Sequence, residues 1–299
     1  MWTRRRSVSS RSSWWFWCYR ASRSWTFLGS KIKLAQGIRE AEALAAELED
    51  IPAEAGDADP QTSAEAANPR PSGRVMMCDA AGIVDPLSAV AADRAVLIQS
   101  IVDLYRLVTA ESDLPSIEDA LTTLHARGYL DRTALTLADS VLPLTSVALQ
   151  QARVTEADAA SIRASIRSLT TAITRRAPHA FDDEVAAILR TVPDALMDRD
   201  VWTHGERRHR IDFTLRRGDR LLIVETAMPF GRSEIDQIVD AAARQARAGL
   251  DALEAFRAYI VLPPGASRYG TFDASRHGGI RVENLIDLRR RIERNTLFR

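Results

Sequence analysis

Two acidic residues stand out because strand-like sequence surrounds each of them: Asp212 in RHRIDFTL and Glu225 in LLIVETAM, on either side of the turn RRGD. A tight hairpin at that turn is expected to place Asp212 opposite Ile223. Strand side chains alternate faces, so Glu225 shares the face of Ile223 and is a diagonal neighbour of Asp212, about 7–8 Å away. Two carboxylates so spaced can straddle one divalent cation. A hard ion such as Mg²⁺ takes oxygen ligands and keeps waters that a substrate phosphate can replace. Held there, it would activate water and neutralise charge developing on a phosphodiester.

The same register sets Arg210 directly across from Glu225, where a cross-strand ion pair is worth about 0.2–1 kcal/mol. Ion pair and metal site are competing uses of Glu225, and the residue types leave both open. Arg207, Arg208, Arg210, Arg216, Arg217 and Arg220 cluster around the hairpin with only Glu206, Asp212 and Asp219 as nearby acids. That cluster could track a phosphate backbone or simply solvate strand ends. The 20 arginines and 19 acids of residues 177–299 tilt the balance toward solvation. His179, His204, His209 and His277 show no paired metal-ligand spacing.

The elements that must position these residues are legible around them. FDDEVAAILRTV reads as a short amphipathic helix with Phe181, Val185, Ile188 and Leu189 inward, followed by the strand-like runs VWTHGE, RHRIDFTL and LLIVETAM. SEIDQIVDAAARQARAGLDAL reads as a helix capped by Ser233, with Ile235, Val239, Ala242, Ala246 and Leu250 buried. AYIVLPPG and GIRVENL supply two more strands, and IDLRRRIERN a last helix.

This order of helix, three strands, helix and strand, with an Asp strand followed by a Glu strand, resembles the PD-(D/E)xK restriction-endonuclease-like superfamily over about residues 180–295. The resemblance implies an αβββαβ mixed sheet, hydrolysis of DNA phosphodiesters, Asp212 and Glu225 as Mg²⁺ ligands, and Glu184 on the leading helix as a further acidic ligand. The family's lysine, two residues beyond the Glu, is replaced by Ala227, and no lysine follows Lys33. Its role of orienting water and stabilising charge would pass to Arg210, Arg232 or Gln237. Without such a substitute the fold would serve as a nucleic-acid or protein interaction module.

Upstream, Asp85 to about Arg176 has helical periodicity. Ser116 caps one helix that stops at Gly128, a break is expected near Pro143, and Thr155 with Asp158 opens another. These segments carry no chemical cluster, so residues 79–176 read as a helical domain that supports the rest or binds a partner protein. Residues 1–78 read as a disordered extension and linker, with one short amphipathic helix over 32–49 that is free to dangle. Five of the six tryptophans lie in the Arg- and Ser-rich opening, which reads as translated upstream sequence, with Met76 or Met77 a truer start.

Composition bounds the rest. The chain has 299 residues, 46% of them hydrophobic and 27% charged, a globular balance without a stretch of about 20 apolar residues to span a membrane. Only Cys18 and Cys78 occur, which excludes a disulfide framework and suits the cytoplasm. Nine basic residues and no acid fall in residues 1–39, which leaves the remainder acidic despite zero formal net charge.

Overall fold

The computed structural model describes residues 29–50, 85–113, 115–150, 154–203, 209–230, 234–269 and 279–299. Cys18, Cys78, Met76, Met77, His204, Arg207, Arg208, Arg232, Ser233 and His277 lie outside them, as does the expected linker. The described chain is α/β, with helices first and a five-stranded mixed sheet after them.

Five helices precede the sheet: α1 Gly29–Asp50, α2 Pro86–Thr109, α3 Ile117–Ala126, α4 Arg132–Gln150 and α5 Glu156–Leu189. Their ends follow local chemistry. Asp85 caps α2 by accepting from the Ser88 amide at 3.0 Å, Ser116 caps α3, and Thr155 with Asp158 forms a capping box at α5. Gly128, at φ +81°, takes the left-handed turn after α3 that a side chain would resist.

Three expectations change here. The helix over 32–49 neither dangles nor belongs to a disordered extension: Leu34, Ile38, Ala41, Ala45 and Leu48 are all buried, and α1 packs on α4 and α5. Pro143 does not break α4. The expected boundary at 176/177 falls inside α5, a continuous helix of 34 residues that passes through Pro178. A helix-interior proline costs about 3 kcal/mol. Burial on both sides of it, by Ile166, Leu169 and Ile173 before and Phe181, Val185 and Leu189 after, outweighs that cost.

The sheet runs β1 Leu196–Trp202, β2 Arg210–Arg217, β3 Arg220–Thr226, β4 Arg257–Leu262 and β5 Ile280–Asn284, in spatial order β1-β2-β3-β4-β5. The first three strands are antiparallel and the last two continue parallel to β3. The helix α6 Ile235–Leu253 makes the β3-to-β4 crossover, and α7 Leu285–Glu293 closes the described chain's last turn onto α5 and β4. Gly249 of α6 lies so close to the sheet that an added Cβ would sit 2.6 Å from Ile211 Cδ1 and 2.8 Å from Ile223 Cδ1. After β4, a 3-10 turn at Pro264–Tyr269 packs on α2. Helices and sheet thus share one apolar core.

Candidate functional site

The hairpin register differs from the expected one. Arg217 pairs with Arg220 around Gly218 and Asp219, and the ladder runs to Phe213 opposite Val224. Continued by one step, it sets Asp212 directly opposite Glu225, closer than the diagonal spacing expected from sequence. The parity is the same in either register, so the two carboxylates still come together.

Regular pairing of β2 with β3 stops at this point. The Thr226 amide donates to Asp212 Oδ2 at 2.8 Å, so the carboxylate stands where a β2 carbonyl would continue the ladder. Ile211 lies against α6 with Ile223, whereas Phe213 lies under Arg199, whose guanidinium reaches Asp183 of α5. The alternation of β2 therefore slips at Asp212. Across the other ladder, Asp200 of β1 stands between the pairs Arg199–Phe213 and Val201–Ile211 with φ +56°. A non-glycine residue in that region carries a backbone cost of about 1–2 kcal/mol.

A third carboxylate comes from α5. Thr226 Oγ1 contacts Asp182 Oδ1 at 2.5 Å and Asp212 Oδ2 at 2.9 Å. Asp182, Asp212 and Glu225 are 3%, 7% and 1% exposed. Burial comes first in raising the Glu225 carboxyl well above the ordinary range, followed by the charge of Asp212, a hydrogen bond with it, and the charge of Asp182. Among the described residues, Glu225 Oε1 has no hydrogen-bond partner. The Thr226 hydroxyl has one proton and can serve only one of its two acid contacts. With the Glu225 carboxyl raised by its burial and by Asp212, the cluster is disposed to hold a proton there or to receive a cation.

The other expected site residues lie elsewhere. Arg210 does not pair with Glu225; it binds Asp200 instead, with Nε donating to Oδ1 at 2.9 Å. In the observed register Arg210 falls two residues short of the position opposite Glu225. Glu184 follows Asp182 by two residues, about 200° around a helix, so it leaves the site. It accepts from the Tyr129 hydroxyl at 2.9 Å, with Arg127 at 4.0 Å. Gln237 is exposed on α6, and Gln245 is the glutamine that reaches β2, donating to the Arg210 carbonyl. Ala227 is buried, and its amide donates to the Val261 carbonyl at 3.0 Å.

Sequence reasoning passed over Asp182 and Thr226. A signal for Asp182 was present, since it shares the i, i+3, i+4, i+7 stripe with Val185, Ala186 and Leu189 and is buried with them. Arg199 Nη2 stands 4.0 Å from Asp182 Oδ2.

Among the described residues no group of three or more His, Cys, Asp and Glu side chains is spaced to hold a metal ion, and no helix is long and apolar enough to cross a membrane. Mg²⁺, however, commonly needs only one or two protein carboxylates with waters and phosphate. The Asp212–Glu225 pair meets that smaller demand in donor type, and the unpartnered Glu225 Oε1 is the atom such an ion would satisfy. Comparison with family models, with curated proteins and with solved structures finds no match.

Proposed function

We propose that this chain is a divergent restriction-endonuclease-like nuclease that hydrolyses DNA phosphodiesters with a divalent metal. The supporting observation is the meeting of Asp212 and Glu225 where the β2–β3 ladder ends, with Glu225 buried and one of its oxygens unpartnered. The order of the strands and the β3–α6–β4 crossover suit the same reading. Asp212 and Glu225 would hold the ion, with Asp182 replacing Glu184 as the additional acid from α5. When bound, Mg²⁺ would supply Lewis-acid activation of water and charge neutralisation at the phosphodiester. Thr226 orients the acids, fixing one oxygen of Asp212 and touching Asp182.

A second reading is favoured by Ala227. The side chain that would orient water and stabilise charge is missing, and neither Arg210 nor Gln237 faces the acids in its place. On that reading the fold binds nucleic acid or a protein without cutting, with the helical region offered to a partner.

Incubation of the full chain with plasmid and with single-stranded DNA, across a Mg²⁺ or Mn²⁺ titration, separates the two. Metal-dependent cleavage that disappears in Asp212→Asn supports the nuclease. Metal and DNA binding without cleavage supports the interaction module.

A further inference from the structure

The end of the sheet remote from the acid cluster carries another organised group of side chains. Arg217 and Arg220 flank the Gly218–Asp219 turn and face one another directly across the ladder. Like charges so opposed weaken a ladder. Among the described residues, neither is ion-paired with an Asp or Glu.

Neutral oxygens hold them instead. Arg217 Nη1 donates to Asn295 Oδ1 at 2.8 Å, with its guanidinium 4.4 Å from the Phe298 ring centre. Arg220 Nη1 donates to the Phe298 carbonyl at 2.5 Å. Arg257, at the start of β4, donates to the Arg299 backbone oxygen at 2.6 Å. Arg220 and Arg257 both lie over the Phe256 ring, at 5.1 and 4.7 Å, and that ring is 46% exposed.

For Arg217 and Arg220, neutral acceptors and aromatic rings fix the guanidinium without cancelling its charge. Each of these arginines commits Nη1 to the fold and keeps other N–H groups of its fork for a ligand. The exposed acids near them and near the C-terminal segment that holds them are Asp219, Asp251, Glu254 and Glu293, and exposed Arg216, Arg294 and Arg299 stand against those. Five residue steps along β2 carry Arg217 about 17 Å from Asp212, at roughly 3.4 Å per step.

We infer that Arg217, Arg220 and Arg257 form a phosphate-binding surface for the backbone of a nucleic acid, separate from the acid cluster. Guanidinium forks match phosphate oxygens in two-point contacts, and several fixed charges in one patch answer a repeating anion better than a single one. The surface stands whether or not the acid cluster cuts.

The test is fluorescence anisotropy of a labelled duplex DNA with the full chain in EDTA, repeated over a salt series. The triple variant Arg217→Gln, Arg220→Gln, Arg257→Gln is expected to bind at least tenfold more weakly, with a salt slope shallower by roughly 0.9 per lost contact. The matching triple Lys variant keeps most of the slope, and Asp219→Asn binds more tightly. The assay runs in EDTA without turnover, so failure of this surface and failure of metal-dependent cleavage are read separately. If the Gln variant does not fold, the Lys and Asp219→Asn variants decide. Unchanged affinity in a folded Gln variant, unchanged affinity in Asp219→Asn, or equal binding of heparin through the same arginines overturns the inference. So does retention on phosphatidylserine vesicles without DNA binding.

Discussion

Thr226 gives two donors to one oxygen of Asp212, its amide at 2.8 Å and its hydroxyl at 2.9 Å, while the same hydroxyl meets Asp182 at 2.5 Å. Valine in its place keeps the shape and removes the hydroxyl from between two buried acids. Loss of a partner for a buried polar group costs about 1–3 kcal/mol. Thr226→Val should therefore unfold at lower urea concentration by that margin, and Thr226→Ser should recover most of it.

Glu225 gives a pH dependence of definite sign. Burial, then the charge of Asp212, a hydrogen bond with it and the charge of Asp182, raise its folded pKa well above the unfolded value near 4.5. The folded chain then binds this proton more tightly than the unfolded chain does. The contribution to stability is complete below the unfolded pKa and is lost as pH rises toward the folded one. Urea midpoints of the unmodified chain should fall relative to Glu225→Gln as pH rises above the unfolded value near 4.5. A rise over that range would contradict the buried, protonated glutamate.

Two glycines rank the packing. At Gly265 an added Cβ would meet the Arg106 carbonyl oxygen at 2.2 Å and Leu107 Cα at 2.8 Å, both backbone atoms that cannot move aside alone. At Gly249 the obstacles are the methyl ends of Ile211 and Ile223. Overpacking of this kind costs about 1–3 kcal/mol, occasionally more. Thermal melts should place Gly265→Ala below Gly249→Ala, and both below the unmodified chain.

The docking of α1 predicts the effect of starting the chain at Met76. The truncation uncovers the surface of α4 and α5 that Leu34, Ile38 and Leu48 bury. Each such burial is worth about 1.5–3 kcal/mol. The shortened chain should lose several kcal/mol in urea titrations and bind more of a hydrophobic dye.

Strands β2 to β5 were legible because alternation and the RRGD turn act locally, whereas the run read as a first strand from Val201 meets only the end of β1, Leu196–Trp202. The meeting of Asp212 with Glu225 survived a wrong register because the parity was right. Three features were not legible. The exact pairing depends on whether Gly218 and Asp219 alone form the loop, which the tetrapeptide does not fix. Asp182 was passed over although it shares a stripe with Val185, Ala186 and Leu189, because only the docking of α5 on β3 shows that this polar member of the stripe is covered. Pro143 and Pro178 signalled breaks by a local rule, and tertiary burial on both sides overrode it. Arg210 was misplaced with the register, and Asp200, its actual partner, lies on β1, which the hairpin argument did not include.

Calorimetric titration of the full chain with Mn²⁺ and Mg²⁺ reads out whether the proposed site at Asp212 and Glu225 takes up a divalent cation. One saturable site is expected, with protons released on binding, lost in Asp212→Asn and in Glu225→Gln. Absence of metal uptake in the unmodified chain, or equal uptake in both variants, would contradict it.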